Sequence, residues 1–387
     1  MSKIEEMLKR LCPNGVERRP LAQAVSVKRG VRVVKQQLAE AGDYPVYQNC
    51  LTAMGYYAES NCSGDTAFVI AAGAAGSVGY CDVDFWAADD CYYMVAPNEI
   101  NNKFLYYALK NKEPLLLSKV RKASVPRLAR DVVESMEIPL PPRPVQDEIV
   151  KALDAMDAAV KALEEERAAR QEQFETVREK VMSSKIHSAK RIRLGDACVR
   201  VVDGMHILPA TSSDASGVPV LSAQNINHGE IDLLTSKFVS EEVYVKENNR
   251  TNVARGDLLL TIVGAVGRTA VVKTDLKALF QRSVCVLKFN SGWDSTYAKR
   301  YLESNEAQSY IRNHAHGGIQ KGLYLDQVRE VKIPYLPLPV QKKIAAQLDA
   351  FAAVVTALDE EIAARREQFA GWLEKLMKFE TKESAVA

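Results

Sequence analysis

Apolar residues recur at alternating spacings of four and three along two stretches of the chain. In the first, Ile149, Leu153, Met156, Val160 and Leu163 keep that rhythm, and Phe174, Val177 and Val181 resume it. In the second, Ile344, Leu348, Phe351, Val355, Leu358, Ile362, Phe369, Trp372 and Leu376 fall at the matching positions. This is the a/d seam of a helix that pairs with another helix. Good helix formers fill the positions between, with Gly371 the one poor former. Pro144 and Pro339 stand ahead of the seams, where a missing N–H does little harm. The pattern predicts two helices of about 37 residues, each spanning about 55 Å at a rise of 1.5 Å per residue.

The two stretches are copies. Residues 139–182 and 334–377 align with a constant shift of 195 and agree at 24 of 44 positions. Two copies are too few for a solenoid and predict a pseudo-two-fold molecule. The chain between the copies leaves the end of one helix and enters the start of the other. One compact domain bridges those ends cheaply only if the helices run antiparallel, with a globular head at each end. Ile4, Met7, Leu8 and Leu11 mark a short N-terminal helix, expected to dock near the end of the second long helix. Arg167, Arg170 and Arg365 occupy slots of the seams. Their stems cover a seam edge while the heads stay wet; a second reading makes Arg170 and Arg365 docking points for another subunit.

The intervening blocks, about 15–138 and 188–333, are β-rich by pattern and related to each other. Each has a buried-strand run, starting at Ala67 and Asp257, followed by glycines at equal spacing, Gly73 with Gly76 and Gly264 with Gly267. Pro45-Val-Tyr corresponds to Pro219-Val-Leu, and Ile138-Pro139 to Ile333-Pro334. The glycine pairs lack the Lys-Ser/Thr of a phosphate loop and read as tight turns. The expected fold class is α+β: two β-rich heads, 1–143 and 188–338, joined by long helices at 144–187 and 339–380 that form an antiparallel coiled coil, with a tail at 381–387. The heads share a skeleton while their loops differ, the layout expected of two modules with different targets.

Composition adds little until it is divided. The chain carries a net charge of +2, but residues 146–182 carry −4 and 341–380 carry −1, so the rest carries +7. Basic heads on acidic helices suit a polyanion at the heads and protein at the helices. No apolar run reaches membrane-spanning length. The first residues lack the apolar stretch of a secretory signal. Seven cysteines, an odd number without a CxxC pair, fit a reducing cytoplasm rather than zinc or disulfides. The five histidines do not fall into a metal spacing, although His314 and His316 could form half a site. Methyltransferase, helicase, metalloprotease and nucleophile-elbow motifs are all missing, which points to binding rather than catalysis.

Asn, Gln and Arg reach base edges, whereas Lys and Ser suit phosphates. In the first head the candidates are Lys28, Arg29, Arg32, Lys35, Gln48, Asn49, Lys119, Arg121, Lys122, Ser124 and Arg127. In the second they are His206, Gln224, Asn225, Asn227, Gln281, Arg282, Asn313, His316, Gln320 and Lys321. Taken singly, each is as readily ordinary solvated surface; their clustering at matching places favours contact.

The order of head, PLPxxxQxxI helix, head and PLPLPVQxxI helix, with Gly317 to Leu323 as a glycine-rich loop, resembles the specificity (S) subunit of type I restriction–modification systems. The Leu11 to Glu17 opening is also similar to many members, and the likeness covers essentially the whole chain. Arg121 to Arg127 departs from it, standing where the second head has the glycine-rich loop. The resemblance implies that each head is a target recognition domain reading one half of a bipartite, asymmetric DNA site. It implies that the helices set the spacer and dock two modification subunits that use S-adenosylmethionine. Restriction subunits, with ATP and Mg, would join for cleavage, and this chain would bind no cofactor and catalyse nothing. Gln146, Arg170 and Phe174, with their counterparts Gln341, Arg365 and Phe369, are the candidate docking residues. The alternative is a non-catalytic coiled-coil scaffold with two protein-binding heads; an enzyme acting alone fits least, for want of motifs.

Overall fold

The computed structural model describes residues 3–184, 188–235, 237–317 and 322–380. The chain divides into two compact units, residues 1–164 with 360–387, and residues 165–359. The helices that frame them are α1 (Lys3–Leu11), α2 (Asn102–Asn111), α3 (Arg143–Ser184), α4 (Ser295–Leu302) and α5 (Leu338–Leu376). The two long helices, α3 and α5, have 42 and 39 residues. They start earlier than the seam, with Pro144 and Pro339 inside the first turn, where the N–H has no intrahelical partner in any case. Each unit holds the first half of one long helix and the second half of the other.

Unit 1 contains β1 (Ser26–Arg29), β2 (Tyr44–Tyr47), β3 (Tyr56–Tyr57), β4 (Thr66–Ile70), β5 (Val78–Cys81), β6 (Trp86–Ala87) and β7 (Cys91–Val95). An antiparallel sheet has the order β1-β7-β4-β5, and a smaller sheet the order β3-β2-β6 with β2 parallel to β6. Strand periodicity divides β4 between two cores. Ala67 and Val69 face a core shared with Phe104 and Leu105 of α2, Ile149 and Leu153 of α3, Leu373 of α5 and Met377 just past its end. Phe68 and Ile70 face Cys62, Phe85 and Cys91. Burying each large apolar side chain contributes roughly 1.5–3 kcal/mol, so the long helices are part of the head's own core. Within this unit the helix segments run antiparallel: Glu164 meets Arg366 at 2.5 Å, while Ile149 and Leu153 share the core with Leu373 and Met377. As expected, α1 docks beside the end of α5. Ile4, Met7 and Leu8 pack on the same core, and the Val16 N–H donates to the Glu380 carbonyl at 2.8 Å.

Unit 2 repeats the plan with β8 (Cys198–Asp203), β9 (Val218–Leu221), β10 (Phe238–Val239), β11 (Leu258–Thr261), β12 (Thr269–Val271), β13 (Leu279–Phe280) and β14 (Val284–Phe289). The orders are β8-β14-β11-β12 and β10-β9-β13, with β9 parallel to β13. Unit 2 adds a small hairpin, Ile226–Asn227 with Glu230–Ile231, and a helix, Glu241–Asn248. Here too the helix segments run antiparallel: Arg167 Nε meets Asp359 Oδ1 at 2.9 Å, and Met182 shares a core with Ile344 and Leu348.

One seam position needs correction. Trp372 is exposed and stacks under Lys375, whose Nζ lies 4.8 Å from the ring. Leu373 takes the buried slot instead. The strict three-four rhythm slips after Phe369 because a straight helix of 3.6 residues per turn drifts against a 3.5-residue pattern.

Candidate functional site

In each unit the strand ends and turns predicted as contact loops meet at one place. In unit 1 the Ala74 N–H donates to the Asn49 carbonyl (2.8 Å), and the Gly73 N–H to the Pro126 carbonyl (3.1 Å). The Ala88 N–H reaches the Tyr47 carbonyl (2.9 Å), and Arg29 Nε reaches the Asp89 carbonyl (2.7 Å). Arg121 and Arg127 close a hairpin through their backbones at 2.9 and 3.2 Å. The glycines make this convergence possible. Gly73 and Gly76 have φ of 84° and 90°, and a Cβ on Gly73 would fall 2.7 Å from the Asn49 carbonyl oxygen.

Unit 2 builds the same cluster. The Ala223 N–H donates to Ser283 Oγ (3.1 Å), the Arg282 N–H to the Met205 carbonyl (2.8 Å), and the Leu323 N–H to the Ile262 carbonyl (2.7 Å). His316 and Gly322 close a hairpin at 2.9 and 2.8 Å. The Arg121–Arg127 stretch and the glycine-rich loop are therefore one structural element with two sequences. Other pairs follow from the matched bridges: Val31 bonds Ala87 as Met205 bonds Phe280, so Arg32 and His206 are equivalent. By the same pairing Gln48 matches Ser222, and Asp89 matches Arg282.

Most candidates stand on these clusters with solvent-facing side chains. Lys28, Arg29, Arg32, Lys35, Asn49, Lys119, Arg121, Lys122, Ser124 and Arg127 are exposed, and Gln48 is half-buried. Gln224, Arg282 and His316 are exposed, and Gln281 is half-buried. His206 is exposed and held by Asp203 at 2.7 Å, while Arg250 holds the other oxygen of that buried carboxylate at 2.5 Å. Asn313 lies on the helix Asn305–His314, before the hairpin. Gln320 and Lys321 lie outside the described residues. His314 stacks on Tyr310 at 3.9 Å.

Two candidates are corrected. Asn225 is buried, donates to the Asp232 and Leu234 carbonyls (3.0 and 2.9 Å) and accepts from the Ser222 N–H (3.0 Å). Its amide braces its own loop and has no bidentate face left for a base. Asn227 donates to the Gln224 carbonyl at 2.6 Å and accepts from Arg268, so it too is engaged within the fold.

With this geometry, the comparisons with known proteins are decisive. The family model described as the type I restriction modification DNA specificity domain matches residues 13–172 and again 212–367. The chain belongs to this family. A Haemophilus influenzae protein described as a type I restriction enzyme specificity subunit is 27% identical over 372 residues, covering 91% of this chain and 92% of that one. The EcoBI specificity subunit of Escherichia coli is 20% identical over 306 residues, covering 70% and 63%. The crystal structure of the type I S subunit from M. genitalium has the same fold, with a TM-score of 0.62 at 17% identity over 94% of this chain and 96% of that one. This chain is a non-catalytic DNA specificity subunit with two recognition domains, and the loop clusters are their divergent parts.

The helix candidates of the specificity subunit divide by burial. Gln146 and Gln341 are 2% and 0% exposed, with both amides committed inside their units. Phe174 is buried between the guanidinium groups of Arg178 and Arg300, 5.5 and 5.3 Å from the ring centroid. Phe369 is half-buried, its ring centroid 6.2 Å from that of Tyr107. Gln146 and Gln341 are corrected from docking surface to interior, whereas Phe174 and Phe369 each line a groove. Arg170 and Arg365 are exposed and identically dressed: each bonds a Gln three residues on (3.1 and 3.2 Å) and a Glu four residues back (3.4 and 3.5 Å).

A groove repeats beside them. In unit 1 Asp157, Val160, Lys161, Glu164, Arg366 and Phe369 line about 190 Å³. In unit 2 a larger groove of about 390 Å³ includes Ala352, Val355, Thr356, Asp359, Gln171 and Phe174, the same six positions shifted by 195.

Sequence reasoning missed Asp89, whose Oδ1 is buried without a partner, because an acidic residue is not sought at a polyanion surface. It also missed Asp232, Thr235 and Lys237, which carry no local motif and join the cluster through the brace from Asn225 and through backbone and hydroxyl bonds to Val220.

Proposed function

We propose that each recognition domain reads one half of a bipartite, asymmetric DNA site through its loop cluster, while α3 and α5 fix the spacer. Modification subunits carrying S-adenosylmethionine dock on the repeated helix positions around Arg170 and Arg365, and restriction subunits using ATP and Mg complete the complex in the cytoplasm. Among the described residues no helix is long and apolar enough to cross a membrane.

One observation carries this reading. Arg121 with Arg127 and His316 with Gly322 close at equivalent places on equivalent scaffolds, yet the first pair brackets Lys-Ala-Ser-Val-Pro and the second Gly-Gly-Ile-Gln-Lys in the sequence. A repeated scaffold with repeated sequence would read a symmetric site; a repeated scaffold with unlike loops reads unlike halves. The helices, by contrast, retain Arg170 and Arg365 with the same neighbours, as two copies of one partner require.

The test is DNA binding by the full chain with its modification partner across a salt series. Phosphate contacts make log K fall steeply and linearly with log salt. A flat response would favour the scaffold with protein-binding heads. Matched insertions of one heptad in α3 and α5 are expected to lengthen the tolerated spacer, and an insertion in one helix alone to disrupt the pairing.

A further inference from the structure

Unit 2 contains a polar cavity that the general reading leaves unassigned. It encloses about 280 Å³ at the loop cluster and is lined by Ser222, Gln224, Asp232, Thr235, Lys237 and Gln281, with Leu234 at its rim. Its lining is nearly all polar, unlike a hydrophobic core defect. Half of these polar side chains are unused, while Ser222, Asp232 and Thr235 bond within the fold. Among the described residues, the side-chain amides of Gln224 and Gln281 and the ammonium of Lys237 make no hydrogen bond, and Asp232 spends one oxygen on the Leu234 N–H at 2.8 Å. Thr235 Oγ1 donates to the Val220 carbonyl at 3.3 Å.

The cavity is nevertheless fixed in shape. Asn225 ties the Ser222 end of the loop to the Asp232 and Leu234 carbonyls across its floor. On the opposite side Gln281 is anchored through its backbone, its N–H donating to the Leu221 carbonyl at 2.8 Å. Two free carboxamides are therefore held on a rigid frame, and Leu234 stands 84% exposed beside them. A free carboxamide pairs bidentately with the N6 and N7 atoms of adenine, and an exposed apolar side chain suits the methyl group of thymine. Asp232 and Lys237 together leave the cavity without net charge, so it is not built to select a phosphate, and the Asp232 carboxylate suits an exocyclic amino group.

We propose that this cavity is the specificity-determining site of unit 2 and reads A·T pairs in its half-site, with Gln224 and Gln281 each pairing with the N6 and N7 atoms of one adenine and Leu234 meeting a thymine methyl. The assignment rests on the DNA-reading function proposed above and adds the base class and the residues. Asn225 is a positioning residue here, holding the loop without touching the base.

The test is sequencing of methylated adenines in a host carrying the full chain and its modification partner, with the unsubstituted chain beside Gln224→Ala, Gln281→Ala and Gln224→Glu. The alanine variants are expected to accept other bases at one A·T position of one half-site, with discrimination there reduced about 5- to 150-fold. Gln224→Glu is expected to shift preference at that position toward cytosine, whose N4 amino group a carboxylate accepts. The other half-site stays specified in every variant and reports that the chain is folded. An unchanged motif, relaxation at a G·C position, or loss of both half-sites together would overturn the cavity assignment. If the unsubstituted chain directs no bipartite motif, the DNA-reading function itself fails, and the cavity's ligand with it.

Discussion

Gln146 and Asn101 are locked together at the root of the first recognition domain. Gln146 Oε1 accepts the Asn101 N–H at 2.8 Å, while its Nε2 donates to the Pro141 and Glu99 carbonyls at 2.8 and 3.2 Å. Asn101 in turn caps α2, accepting from the N–H groups of Lys103 and Phe104. Gln341 repeats each bond in unit 2, with Asp294 N–H at 2.9 Å and the Leu336 and Gly292 carbonyls at 2.7 and 3.0 Å. Asp294 caps α4. The repeated glutamine thus fastens each head to the start of its long helix. Gln146→Ala or Gln341→Ala leaves one N–H and two carbonyls without their side-chain partner in a largely part-buried place. Each is expected to cost about 2–3 kcal/mol in urea denaturation, with the alanine in either unit giving a similar loss.

Three glycines are expected to respond to alanine with opposite signs. A Cβ on Gly30 would fall 2.2 Å from the Ala88 carbonyl oxygen, and one on Gly204 would fall 2.1 Å from that of Phe280. Both glycines lie where a strand end crosses backbone, so Gly30→Ala and Gly204→Ala should each lower stability by on the order of 3 kcal/mol. Gly371 lies inside α5, and a Cβ there would meet nothing within 4 Å. Gly371→Ala should raise stability by about 0.5–1 kcal/mol through helix propensity. Thermal unfolding of the three variants checks both directions.

Lys299 gives a pH-dependent prediction. It is buried in α4 with Glu303 at 3.9 Å, Arg300 beside it, and Asp349 and Glu230 nearby. Burial pushes its ammonium below the ordinary lysine value of 10.5, against the pull of Glu303. Between the folded value and 10.5 the unfolded chain holds more protons, so this group's contribution to stability rises with pH. Lys299→Met removes the buried charge, and Glu303 keeps Arg300 at 2.9 Å and Thr269 at 3.0 Å. The variant should be about 1 kcal/mol more stable at neutral pH. Its advantage should shrink as pH approaches 10.5, read from denaturation curves of both chains in parallel.

Neighbouring residues in one loop should separate structure from reading. Asn225→Ala breaks three hydrogen bonds of a buried amide and is expected to cost about 2 kcal/mol. Gln224→Ala removes a side chain without a hydrogen bond and should leave the unfolding midpoint unchanged within about 0.5 kcal/mol.

That contrast also marks how far the sequence could be read. The long helices, the paired heads and the strand equivalences followed from periodicity and from a repeat that is collinear at a single shift. The hairpin at Arg121–Arg127 departs in sequence from the glycine-rich loop; only backbone pairing reveals the equivalence. Asn225 and Gln224 are both exposed-looking amides in sequence, and nothing local says which one turns inward. The repetition of Gln146 and Gln341 suggests a partner surface in the sequence alone, whereas it reflects a buried joint made twice.

The independence of the two recognition domains, each reading its own half of one site, is what the proposed function requires. It is tested most directly by sequencing methylated adenines in a host carrying the modification partner and either this chain or a variant in which residues 122–126 are replaced by the 317–321 segment. The unsubstituted chain is expected to direct methylation at a bipartite asymmetric motif, and the variant to change one half while the other is retained. A contiguous motif, or a change in both halves together, would contradict it.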